Sequence, residues 1–235
     1  MSVWQAKRFW ATAVGEACDG GYTVRLDARL VKTPAKRALV LPTLAMAQAL
    51  ALEWDAQHGL VNPNKMPLTR SANSAIDKVA EQFDAVADQL AAYADTDLLC
   101  YRATGPEPLR DRQAQGWDPV LQWAEQAFGA PLTSTAGVMH IKQPAQSLKR
   151  LSDQLHGMTP FQLAAAHDLI AISGSLVLAL AVVQGHLQPI AAWDLSRIDE
   201  TFQNEQWGID EDAAKLEALK QAAFFDAARF YTLCG

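Results

Sequence analysis

Residues 169–183, LIAISGSLVLALAVV, form a fifteen-residue run without a charge, the most apolar stretch of the chain. As a helix it would rise roughly 22 Å, at about 1.5 Å per residue, short of the ~30 Å hydrocarbon core of a bilayer. His167 and Asp168 stand before it, and Gln184 and Gly185 end it, so it does not extend into a membrane span. A helix apolar on every side is otherwise buried in a protein core. The run is therefore predicted as a central helix that other helices surround. Gly174 and Ser175 in its middle are read as small positions that let a neighbouring helix come close. With half of 235 residues hydrophobic, the chain can supply such a core.

What surrounds the run is read from periodicity. In the first forty residues, residues 8–15 alternate loosely, Asp19-Gly20-Gly21 signals a turn, and Tyr22, Val24 and Leu26 alternate with polar neighbours. Residues 30–33 and 38–41 add further short strands. Short strands joined by short turns predict an antiparallel meander. Helices follow Pro42. Thr43 is placed to cap a helix over residues 44–57. Ile76, Val79, Phe83, Val86, Leu90 and Tyr93 recur at intervals of three and four, which predicts one continuous helical seam. Further helices are predicted over residues 109–128, with Pro119 as a kink, and over 144–156. Another is predicted over 189–206, with Gly208 as its stop. In the last helix, Asp210 is the cap and Leu216, Leu219, Ala223 and Ala227 are the seam. The fold class expected is α+β, with a small antiparallel β domain over residues 1–65, ending in one helix. A larger all-helical domain over residues 66–235 would enclose the buried central helix.

Charge and composition narrow the function. The net charge is -6, which argues against broad nucleic-acid binding, since phosphates call for clustered Lys and Arg. The cysteines Cys18, Cys100 and Cys234 are odd in number and scattered, giving no disulfide framework and no paired metal-binding pattern. The first ten residues lack the apolar segment of a secretory leader. The expectation is a protein of the cytosol, with no membrane span.

Motifs of catalysis are missing. No phosphate-cradling GxxxxGK[ST], no GxGxxG after a strand, no GxSxG elbow and no HExxH occurs. His167-Asp168 could be a base with its orienting carboxylate. Adjacent helical residues point about 100° apart, so a capping or buried hydrogen-bonded role is the favoured reading. Asp199, Glu200 and Glu205 could suggest a metal or an acid–base pair. Arg197 and Glu200 are i,i+3 neighbours that can simply pair, and hard-cation sites usually draw ligands from several segments. Trp54, between two acidic residues, and Trp207, beside Gly208, are the tryptophans to check for exposure.

An ordered set of segments carries a resemblance. Lys7-Arg8-Phe9-Trp10, Lys32-Thr33-Pro34, Glu53-Trp54-Asp55-Ala56-Gln57 and Met66-Pro67-Leu68-Thr69-Arg70 belong to it. So do Asp97-Leu98-Leu99-Cys100-Tyr101-Arg102, His167-Asp168-Leu169, Gly174-Ser175, Ser196-Arg197-Ile198-Asp199-Glu200 and Gln206-Trp207-Gly208. Together, over almost the whole chain, they resemble the ATP synthase F1 complex assembly factor 2 family, chaperones of the F1 alpha subunit. The resemblance implies a binding protein without enzymatic activity or cofactor. Its partner would be the unassembled alpha subunit, held until the beta subunit replaces it, without ATP hydrolysis. It also implies a bacterial, cytoplasmic member of a family whose eukaryotic relatives act in the mitochondrial matrix, monomeric before the client binds. Glu200 is expected to contact the client and Trp54 to position the two domains. Asp199, Arg197 and Trp207 are further candidates. The competing reading is a metal-assisted hydrolase using Asp199, Glu200 and His167, which requires those side chains to converge.

Overall fold

The computed structural model describes residues 7–235; residues 1–6, where the expected first domain and the stretch read for a leader begin, lie outside it. The chain gathers into two compact units. The first takes the chain as far as Phe83, with Thr159–Ala165 and Arg229–Gly235. The second takes Asp84–Met158 and Ala166–Ala228.

The first unit is built on an antiparallel sheet of β1 (Ala13–Cys18), β2 (Gly21–Leu26) and β3 (Arg29–Leu30), in that order. Cys18 pairs with Gly21, so Asp19 and Gly20 alone make the turn, with Gly20 at φ +81°. Val24 and Leu26 point into the core as their alternation requires, and Thr23 is buried as well. The strand expected from residue 8 starts only at Ala13. Before it, Arg8 is engaged with carbonyls, donating to Trp10 at 3.0 Å, Ala11 at 2.9 Å and Gln57 at 2.8 Å. Residues 38–41 join the sheet through isolated bridges, Ala38 with Lys32 and Leu41 with Tyr22.

Helix α1 (Leu44–Asp55) lies across β1. Thr43 caps it as predicted, its Oγ1 accepting from the Met46 N–H at 3.1 Å. A Cβ on Gly15 would fall 2.7 Å from the backbone of Ala47 and Gln48, so strand and helix touch main chain to main chain. Trp10, Val24, Leu41, Met46, Leu50, Leu68 and Phe230 are among the residues of this core.

The single helix predicted along the seam from Ile76 to Tyr93 is not formed. Instead α2 (Pro67–Asp77) ends, a 3-10 turn covers Val79–Glu81, α3 (Phe83–Ala91) follows, and a second 3-10 segment covers Ala92–Thr96. The end of α2 is tied to the loop after β3, because the Asp77 carboxylate accepts from Thr33 Oγ1 at 2.7 Å and from the Ala35 N–H at 3.1 Å. The apolar spacing outlives the break: Val79 and Leu90 are still buried.

In the second unit, β4 (Tyr101–Arg102) and β5 (Thr135–Ala136) form a short parallel pair. Helix α4 (Glu107–Phe128) carries Pro119 inside it, and α5 (Ala145–His156) follows Pro144. The apolar run is largely buried as expected, but it is two helices, α6 (Pro160–Ser173) and α7 (Leu176–Val183). Gly174 stands between them at φ +71°, and Ser175 is extended, its Oγ accepting from the Leu178 N–H at 3.0 Å to cap α7. Gly174 therefore serves a change of backbone direction. The Leu98–Cys100 3-10 turn also meets it there, the Leu98 N–H donating to the Gly174 carbonyl at 3.1 Å, with room for a Cβ at 3.9 Å from Leu98 Cβ. Leu176 to Ala181 are all buried.

The helix expected over residues 189–206 is likewise two, α8 (Pro189–Ser196) and α9 (Ile198–Trp207), parted where Arg197 leaves helical geometry at φ −114° and ψ 14°. The last helix, α10 (Glu211–Thr232), is capped by Asp210, which accepts from the Ala213 N–H at 2.7 Å. Its expected seam is only partly covered: Ala227 is buried, while Leu216, Leu219 and Ala223 are exposed. The architecture is α+β, a small antiparallel sheet followed by a larger helical region. Among the described residues no helix is long and apolar enough to cross a membrane.

Candidate functional site

The candidate residues Arg197, Asp199 and Glu200 meet at the joint between α8 and α9, and α4 holds that joint in place. The Trp117 indole N–H donates to the Leu195 carbonyl at 2.8 Å. Gly116 leaves room for the joint, since a Cβ there would come 2.8 Å from Leu195 Cδ2 and 2.9 Å from Ile198 Cδ1. Asp199 accepts from Gln113 Nε2 at 2.6 Å, and the buried Gln113 accepts in turn from the Ala103 N–H at 2.8 Å. Further along α9, Glu205 takes Arg112 in a two-pronged pair at 2.9 Å on each prong, with that guanidinium over the Phe202 ring. The Arg112 hydrogen bond holds the Glu205 carboxyl below its usual range. Asp199 thus faces inward and anchors α9, which leaves it little to offer a partner.

Arg197 and Glu200 pair as their spacing suggested, Nη1 to Oε1 at 2.8 Å. The Arg197 guanidinium lies over the Trp193 ring at 5.4 Å and is mostly buried, whereas the Glu200 side chain is about half exposed. Asp199 and Glu200 both sit in the first turn of α9, where the helix dipole favours negative charge. Of the three, Glu200 presents a charge to solvent.

Trp207 closes α9 at its other end and is 80% exposed. Gly208, at φ +88°, ends the helix. Ile209 at 71%, Leu216 at 53% and Leu219 at 69% exposure follow within the next dozen residues. Exposed apolar side chains in such density make this stretch the candidate surface for meeting another molecule. The sequence pointed to Trp207 here but read Leu216 and Leu219 only as part of a helix seam, because periodicity reports an apolar face and not what lies against it.

Trp54 belongs to the first unit. It is half-buried and packs edge-on against Trp10, ring centroids 5.3 Å apart. The indole nitrogens of both are buried without a hydrogen-bond partner. Its neighbour Glu53 has a role that no local sequence pattern signals. The Glu53 carboxylate accepts from the N–H groups of Leu68 and Thr69, both at 2.8 Å, and from Thr69 Oγ1 at 2.7 Å, capping α2 from fifteen residues away.

The hydrolase constellation does not form. Asp199 is bound to Gln113, Glu200 to Arg197, and His167 Nδ1 to Asp168 at 2.9 Å. Among the described residues no group of three His, Cys, Asp or Glu side chains could hold a metal ion. His167 and Asp168 also correct the expectation that they diverge and serve as a cap or in the core. They sit within α6, about half exposed, and their side chains swing round to meet. The Asp168 hydrogen bond raises the His167 imidazole above its ordinary value.

Comparison with known proteins gives a consistent answer. A family model described as ATP12 chaperone protein matches residues 7–125. Protein atp12, mitochondrial, of Schizosaccharomyces pombe is 26% identical over 223 residues, 90% of this chain and 77% of that protein. The crystal structure of Atp12 from Paracoccus denitrificans is 49% identical, covering 98% of this chain and 99% of that one, with a TM-score of 0.95. The Atu1473 protein of Agrobacterium tumefaciens is 39% identical over 98% of this chain and 87% of that one, with a TM-score of 0.94.

Proposed function

The chain belongs to the ATP12 chaperone family, and on that premise we propose that it binds the unassembled alpha subunit of the ATP synthase F1 sector until the beta subunit takes its place. A subunit surface destined for burial in an oligomer is apolar and aggregation-prone until its partner arrives. A protein that covers it must bind well enough to prevent aggregation and release when the permanent partner docks. Exchange of one binding surface for another supplies that release, with no bond broken by this chain and no nucleotide consumed. The protein acts as a monomer before it meets its client, in the bacterial cytoplasm.

The observation that carries this reading is the exposed apolar surface on α9 and α10, headed by Trp207 on the helix that also presents Glu200. Glu200 and Trp207 are the residues proposed to contact the client. Arg197 and Asp199 hold Glu200 in place, and Trp54 keeps the first unit packed. The test is capture of purified F1 alpha by this chain, together with alpha solubility with and without it. Binding to alpha, weakened by Glu200→Lys with the fold intact, is the expected result. Failure to bind alpha, with normal ATP synthase levels in a deletion strain, would overturn the proposal.

A further inference from the structure

The apolar seam of α10 is one line of side chains under two regimes. At Ala227, and at the neighbouring Phe224 and Ala228, it is packed away; at Leu216, Leu219 and Ala223 it stands in solvent. Leu216, Leu219 and Ala223 are spaced three and four apart, so they share a face. That face is bordered by small residues, with Ala213, Ala218 and Ala222 exposed nearby. A seam of this form accepts another helix, whose side-chain ridges fit between its own. The segment is also ready-made. Asp210 caps it, and Ala, Leu, Lys and Glu, all good helix formers, dominate residues 211–220. A binding element already in its bound conformation loses little entropy on docking.

Charge selects the partner. Residues 210–220 carry four carboxylates, Asp210, Glu211, Asp212 and Glu217, against two lysines, Lys215 and Lys220, and Lys215 is paired with Asp212. Docking a second copy through the same face would set these carboxylates against their own kind, because a two-fold interface repeats the same patch on both sides. A partner that brings Lys or Arg beside its apolar residues meets the opposite field.

We propose that the exposed half of the α10 seam, with Trp207 and Ile209 at its head, docks a basic amphipathic helix of the client. The proposal rests on the chaperone reading above and names the chemistry that the client must present. Apolar contact along the seam supplies the affinity. The acidic border supplies orientation and refuses acidic segments.

The test uses the full chain, a labelled Leu/Lys amphipathic helical peptide, and a Leu/Glu peptide with the same apolar face. The wild type is expected to bind the Leu/Lys peptide and not the Leu/Glu one, with affinity falling as salt rises from about 0.05 to about 0.5 M. The double variant Leu216→Gln, Leu219→Gln keeps every charge and alters only exposed positions. It should melt where the wild type does and bind at least about tenfold more weakly. Equal binding of both peptides, or unchanged binding by the double variant, would sink the proposal. So would self-association of the wild type that the double variant abolishes. Purified F1 alpha separates this idea from the one beneath it. If alpha binds wild type and double variant alike and the Leu/Lys peptide does not displace it, the surface is wrong and the chaperone reading stands. If alpha ignores the wild type while the Leu/Lys peptide binds through α10, the surface stands and the alpha-subunit reading falls.

Discussion

Asp97 is fully buried, and its carboxylate joins two segments: Oδ1 accepts from the Leu99 N–H and Oδ2 from the Val177 N–H, each at 3.0 Å. Burial pushes its pKa up to about 6, against the pull of the Val177, Ser175, Leu99 and Leu176 hydrogen bonds. A folded-state value above the ordinary 3.8 means that the folded protein holds this proton longer than the unfolded chain. The contribution of Asp97 is then most favourable below about pH 4 and falls as pH rises to about 6, by up to about 3 kcal/mol. Urea unfolding of wild type and Asp97→Asn should show it: the stability of wild type relative to the variant is greater at pH 4 than at pH 7. His167 gives a second, milder case. The Asp168 hydrogen bond raises its pKa, so this pair stabilises the fold below pH 6.5, and the contribution is lost as pH rises through the raised value. Asp168→Asn should bring the imidazole back toward 6.5 in an NMR titration. Local partners of this kind are readable in advance, as Thr43 and Asp210 were from their place before a helix. Asp97 and Glu53 were not, because their partners lie eighty and fifteen residues away in the chain.

Elements were legible in type and misjudged in continuity. Three predicted helices, along the Ile76 seam, the central run and residues 189–206, each proved to be broken. Apolar spacing and hydropathy persist across such breaks, so neither reveals a residue that leaves helical geometry. Gly174 was the one available sign, and its meaning depended on a backbone angle. Substitution separates the two uses of glycine in this fold. Gly174→Ala meets no close atom but must adopt φ +71°, so it should destabilise by about 1–2 kcal/mol through the backbone alone. Gly15→Ala meets main chain at 2.7 Å and must push β1 away from α1, at a cost of about 1–3 kcal/mol. Thermal or urea denaturation of the two variants checks both losses. The site was half legible for the same reason. Arg197 and Glu200 pair at their expected spacing, whereas the inward turn of Asp199 depends on Gln113, on another helix.

At the scale of the whole molecule, stability is unevenly spread. Helix α7 is buried from Leu176 to Ala181, while most of residues 211–220 are exposed. Segments with few buried apolar contacts open more readily than those in the core. Amide exchange should therefore be slowest in α7 and fast through residues 211–220. The α+β class, a small antiparallel sheet followed by a larger helical region, was visible in composition and periodicity. The exposure of the first half of the α10 seam was not, since an apolar face reads the same whether the chain covers it or leaves it open. Of the tryptophans described, Trp207 alone is largely exposed. Its indole should thus emit at longer wavelength than its sheltered counterparts, giving the protein a native optical reporter. Acrylamide, being neutral, should quench that red component readily. Iodide should do so less well, repelled by the carboxylates nearby, and caesium better.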